Sequence, residues 1–143
     1  MRLLLDVNVL VALLDEAHVH HAVAQNLIVQ PGLEIATCAL TENGVLRVLN
    51  LPGYSVYGPA GFEPVRAQLQ QLCTDIDHAY WPCDVSLRDN TAVQWSRVMG
   101  HNQITDVYLL ALAVKHSGAL ATLDHRVALS TVHGAQAKHL RLL

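Results

Sequence analysis

The sequence predicts an α/β fold, with a central, mostly parallel sheet and helices packed on both of its faces. Short apolar runs rich in Leu, Ile, Val and Ala alternate with longer stretches whose apolar residues recur at helical spacing. Apolar residues make up 52% of the chain and charged residues 15%, enough to bury a real core. The length of 143 residues suits a single domain, 1–143, built around that core.

Each element follows from local pattern. Residues 2–5 read as a buried strand and residues 9–14 as a helix. A second helix is expected over 18–29, with Val19, Ala22, Val23 and Leu27 on one face, and Pro31-Gly32 stops it. Residues 33–38 read as a strand and 41–49 as a helix ended by Pro52-Gly53. Gly53, Gly58, Pro59 and Gly61 mark a surface loop rather than a domain linker. Residues 62–76 read as a helix striped by Val65, Leu69 and Leu72, and 79–81 as a short strand before Pro82. A helix is expected near 87–95, followed by a polar loop to Gln103. Residues 104–116 form a helix apolar nearly all round, hence central, with Gly118 suited to its C-terminal cap. Strands are expected at 119–123 and 138–142. No internal repeat or low-complexity tract interrupts this order.

Several classes of protein are excluded. The opening Leu3-Leu4-Leu5 is far too short for a signal sequence or a membrane span, so a soluble, cytoplasmic protein without membrane contact is expected. Cys38, Cys73 and Cys83 lack C-x-x-C spacing and are odd in number, which argues for free thiols rather than a disulfide frame or zinc ribbon. The net charge of -3 argues against non-specific nucleic-acid binding through a broad basic face. It leaves room for a metal-bridged phosphate site.

The acids themselves suggest such a site. Open α/β sheets bind ligands outside the carboxyl ends of their strands. Asp6 and Asp124 each follow a predicted strand, and Glu42 and Asp106 fall in the first turns of predicted helices that start at the same edge. These four carboxylates can converge although they span 119 positions. Each also has a plain explanation: Asp6 and Asp124 as turn or N-cap residues, Glu42 and Asp106 as acids complementing a helix dipole. Their joint occurrence at one edge of a charge-poor chain is what favours a metal site.

The segments L-L-D-V-N-V-L-V-A-L-L, T-E-N-G-V-L-R-V, I-T-D-V-Y-L-L-A-L-A and A-T-L-D resemble PIN domains, and more narrowly the VapC toxins of bacterial toxin–antitoxin pairs. The resemblance runs from Leu3 to about Asp124 in order and spacing. It implies a PIN-like three-layer sandwich and a Mg²⁺- or Mn²⁺-dependent endoribonuclease that cleaves RNA with metal-activated water. Carried over, Asp6, Glu42, Asp106 and Asp124 are the catalytic, metal-binding acids, with Asp124 acting directly or through water. The resemblance also implies a homodimer neutralised by a small antitoxin. Such a partner could use apolar faces at Leu10, Leu13 and Leu14 and at Val45, Leu46 and Leu49, although core packing is the safer assignment for most of these residues.

Five further residues are candidates for substrate contact. Asn8 orients Asp6, bonds a phosphate, or caps the following helix. Thr105 bonds substrate or caps its own helix. Asn43 and Arg47 share a helix face at i, i+4 spacing, which places Arg47 as a phosphate contact or an ordinary surface arginine. Arg126, just past Asp124, carries the same two readings. The loops 53–61 and 96–103 are candidate determinants of specificity.

Other chemistries have less support. His18, His20 and His21 lack the i, i+4 spacing of helical zinc sites and read as a solvated face. No G-x-S-x-G, P-loop or dinucleotide fingerprint occurs. An aspartyl-phosphate phosphatase is disfavoured because position 8 is Asn8 rather than Asp. A non-catalytic RNA-binding or regulatory subunit, disfavoured by the intact acids, is one alternative, and a metal-dependent phosphatase is a weaker second.

Overall fold

The computed structural model describes all residues, 1–143. Five strands form one fully parallel sheet: β1 (Leu3–Leu5), β2 (Glu34–Cys38), β3 (Asp77–Trp81), β4 (Ala119–Thr122) and β5 (Leu140–Leu142), in the order β3-β2-β1-β4-β5. The order reverses at β1, whose neighbours are β2 and β4, and a crevice at such a switch point is where open sheets bind ligands.

Side chains alternate across the sheet and divide the core in two. Leu5, Ile35 and Ala121 face one layer, made by α1 (Val7–Leu14), α2 (His21–Ile28), α3 (Ala39–Val48) and α4 (Phe62–Asp75). Leu4, Ala36, Cys38, Trp81 and Leu120 face α5 (Ile104–Lys115), which is buried continuously from Val107 to Ala113. The three-layer α/β architecture expected from the sequence is therefore the one observed. Leu10, Leu13, Val45 and Leu49 are buried in the first layer, as core packing requires. No helix is long and apolar enough to cross a membrane.

Three local expectations are corrected. No helix forms near 87–95, because side chains there satisfy the backbone locally: Ser86 Oγ accepts the Arg88 N–H at 3.3 Å and Asp89 Oδ1 that of Thr91 at 2.9 Å. Val93 then pairs antiparallel with Val132, and only a 3₁₀ turn, Trp95–Arg97, follows. The second helix starts at His21 rather than at 18, since His18 Nδ1 accepts the His20 N–H at 3.1 Å in a turn, while His21 Nδ1 bonds the Ala12 carbonyl at 2.8 Å. Those histidines thus serve local structure. At the end of α5 it is Ser117, not Gly118, that takes the left-handed conformation, with φ of 56°. Gly118 is required for another reason: a Cβ there would stand 2.6 Å from the Arg2 carbonyl oxygen.

Candidate active site

Asp6 ends β1 and caps α1, its Oδ1 accepting the Val7 N–H at 2.7 Å. Its other oxygen, Oδ2, accepts the Thr122 hydroxyl at 2.6 Å and the Asn8 amide at 3.0 Å. The N-cap and site readings of Asp6 are thus compatible, one oxygen serving the helix and the other facing β4. Asp6 is only 4% exposed, and burial raises its pKa; the Thr122 hydrogen bond works against that shift, and the charge of Asp124 adds to it.

Thr122 is a hub. Its fully buried hydroxyl donates to Asp6 and accepts the Asn8 amide at 3.0 Å and the Asp124 N–H at 3.0 Å. Asn8 closes the network by accepting the Leu123 N–H at 3.1 Å. Asn8 therefore orients Asp6 and does not cap the helix. The sequence reading missed Thr122, although a lone polar residue ending an apolar strand two positions before Asp124 was an available signal.

Asp106 occupies the first turn of α5. Gln103 occupies the N-cap position without a side-chain bond into the helix; its Oε1 instead accepts the Met99 and Gly100 N–H groups at 2.7 and 3.1 Å, closing the preceding 3₁₀ turn. Thr105 is exposed and does not cap the helix. Asp106 is half-buried and its carboxylate accepts no hydrogen bond. Desolvation, followed by the negative charges of Asp6 and Asp124, pushes its pKa up to about 6.

Asp124 is in the opposite condition. Arg126 donates to it from Nε at 3.0 Å and from Nη2 at 2.8 Å, and the Arg126 N–H adds a third bond at 2.8 Å. These hydrogen bonds hold Asp124 down to about 2. Asp106, Asp124 and Arg126 line an open groove of about 260 Å³, together with Met99, Gly100, Asn102 and Gln103 from the loop before α5.

Glu42 lies in the first turn of α3, directed there by a local motif in which Thr41 Oγ1 accepts the Cys38 N–H at 3.0 Å. Its Oε1 accepts the Thr37 hydroxyl at 2.7 Å, and no hydrogen bond joins it to the other three acids. The structure thus couples Asp6, Asp106 and Asp124 electrostatically and holds Glu42 to one side, on α3, tied to Thr37 of β2. Asn43 and Arg47 are exposed on α3 and do not line the groove.

The acids bear on metal binding through their chemistry. As placed, no three Asp, Glu, His or Cys side chains converge closely enough to hold one ion. The donors at this edge are carboxylate oxygens, which suit a hard divalent cation. Asp106, half-buried among like charges and without a donor, is the group such a cation would satisfy.

The PIN domain family model matches residues 3–132. The chain belongs to the PIN-domain family. The chain is 42% identical to Ribonuclease VapC44 of Mycobacterium tuberculosis over 144 aligned positions, covering 100% of both chains. It is 39% identical to Ribonuclease VapC29 of the same organism, covering 94% of this chain and 92% of that one. Among solved structures, VapBC2 from Rickettsia felis, bound to a DNA fragment from its promoter, superposes with a TM-score of 0.52 at 14% identity, covering 88% and 90% of the two chains. This last likeness is one of fold. In this PIN domain the candidate acids lie at the carboxyl edge of the sheet, Asp6 just past β1, Asp124 just past β4, and Glu42 and Asp106 in the first turns of α3 and α5.

Proposed function

We propose that the chain is a Mg²⁺- or Mn²⁺-dependent endoribonuclease toxin of the VapC type, dimeric and neutralised by a small antitoxin. The single observation that carries the metal dependence is Asp106: a half-buried carboxylate, without a hydrogen-bond donor, raised to about 6 by its surroundings and its neighbours. The ribonuclease activity is supported by the full-length relatives that bear that name. An antitoxin partner is supported by the shared fold with the VapBC2 toxin–antitoxin assembly.

The residues divide the work. Asp6 and Asp106 would hold the ion, with Glu42 and Asp124 completing its surroundings directly or through water. A bound divalent ion supplies Lewis-acid activation of the phosphodiester and of the attacking water. Thr122 and Asn8 keep Asp6 in one orientation, so that little rearrangement is needed on binding. Arg126, exposed and already at the groove, offers its guanidinium to a backbone phosphate once released from Asp124. Asn102 and Met99 line the groove and would offer polar and apolar surface to RNA beside the acids, whereas Asn43 and Arg47 lie outside it.

Hydrolysis of this kind leaves 5′-phosphate ends. Mapping such ends in cells expressing the wild type and Asp106→Asn tests the proposal: new ends are expected with the wild type alone. Absence of new ends in both would remove the ribonuclease reading, and a fully active Asp106→Asn would remove the site.

A further inference from the structure

Glu42 is connected to a group that no part of the proposed chemistry uses. Thr37, on β2, is fully buried, and its Oγ1 lies 2.7 Å from Glu42 Oε1 and 2.8 Å from His78 Nε2 on β3. Strands β2 and β3 run parallel with Ile35 opposite His78, so Thr37 and His78 are diagonal neighbours on one face of the sheet.

The direction of these bonds follows from the inventory of protons. A carboxylate only accepts, so the single hydroxyl proton of Thr37 goes to Glu42. The His78 contact must then be filled by a proton from Nε2, whether the ring is neutral or charged. The chain of donors runs from His78 to Thr37 to Glu42 Oε1. Glu42 Oε2 accepts no hydrogen bond and is left for a ligand.

We infer that His78 and Thr37 are positioning residues for Glu42, locking one carboxylate oxygen so that the other is presented to a divalent cation. The inference rests on the proposed reading of Glu42 as a metal-site acid. Outer partners of this sort fix ligand orientation, and their loss typically costs about 10- to 100-fold in metal affinity. His78 acts through Thr37 and does not itself face the groove lined by Asp106 and Asp124.

Calorimetric titration with Mn²⁺, in the full chain and without RNA, tests the inference. Thr37→Val and His78→Phe are expected to weaken Mn²⁺ binding by about 10- to 100-fold. Thr37→Ser and His78→Gln, which keep a donor at each place, are expected to restore it to within a few-fold of wild type. In the wild type a slowly exchanging His78 Nε2–H signal in ¹⁵N–¹H spectra should appear, and it should be lost or displaced in Thr37→Val. His78 lies on an edge strand and is only partly buried, so His78→Phe remains readable even where Thr37→Val fails to fold. If both variants bind Mn²⁺ as the wild type does while Glu42→Gln does not, the positioning role is wrong and the site reading survives. If the wild type binds no Mn²⁺, or Glu42→Gln binds it undiminished, the site reading falls and takes the positioning role with it.

Discussion

Thr122 Oγ1 gives its proton to Asp6 Oδ2 at 2.6 Å, a bond between two adjacent parallel strands at the edge where the chain's acids gather. Thr122→Val keeps the shape and removes the donor. A buried carboxylate left without its partner costs about 1–3 kcal/mol, so urea denaturation should show a loss of that size. RNA cleavage should fall by about 10- to 100-fold as Asp6 loses its fixed orientation. Thr122→Ser, which retains the hydroxyl, should keep most of both. A valine variant as stable and active as wild type would show that the hub does not position Asp6.

Asp106 sets a pH dependence whose sign can be worked out. Its pKa is raised to about 6 in the folded chain, against about 3.9 for an unperturbed aspartate. Between those values the native state holds a proton that the unfolded chain has released, so the stability of the metal-free protein falls as pH rises from about 4 to about 6, then levels in this group. A cation requires the ionised form. Mn²⁺ should therefore raise the melting temperature more at about pH 7.5 than at about pH 5. Equal increments at the two pH values would count against Asp106 as a ligand.

Asp106→Asn separates activity from stability. The amide removes a charge that Asp6 and Asp124 repel, so the metal-free variant should melt no lower than wild type at neutral pH. The ion contributes several kcal/mol of transition-state stabilisation, which makes a loss of cleavage on the order of 100-fold or more the expected outcome. A variant that unfolds would instead show the carboxylate to be structural.

Arg126 competes with any cation for Asp124, since its fork already occupies both carboxylate oxygens. Arg126→Ala should let Mn²⁺ bind more tightly in the absence of RNA, while KM for RNA rises through loss of the phosphate contact. Calorimetry and initial rates read the two effects separately. Weaker Mn²⁺ binding in this variant would place Arg126 among the groups that build the ion site.

Gly44 fixes how closely α3 approaches α1, because a Cβ there would collide with the Val7 side chain, one residue after Asp6. Gly44→Ala should cost about 1–3 kcal/mol by overpacking. It should also lower Mn²⁺ affinity, since Glu42 rides on the displaced helix. Unchanged denaturation midpoints would show that Val7 yields freely.

The strand–helix alternation and all ten regular elements were legible from hydrophobic period and from Pro and Gly stops, and one expected helix, 87–95, does not form. That helix was misread because Ser86 and Asp89 bond the backbone locally and because Val93 answers to Val132, a partner no local window contains. At the candidate site, the positions of the acids at strand ends and helix starts were legible, and the resemblance to PIN domains is what singled them out as a set. Their individual environments were not. The contrast between Asp106, without a donor, and Asp124, gripped by Arg126, depends on side-chain directions that a pattern of residues does not encode. His78 offered no signal at all, since its role exists only through the pairing of β2 with β3.

The pairing of β1 with β4 has a consequence for synthesis. Asp6 obtains its shortest hydrogen bond from a residue 116 positions downstream, on a strand made after four-fifths of the chain. A nascent chain therefore carries its first acid through most of translation without the partner that orients it. On the proposed reading, competence to cut RNA waits for β4, and a chain broken off before it lacks the hydroxyl that orients Asp6.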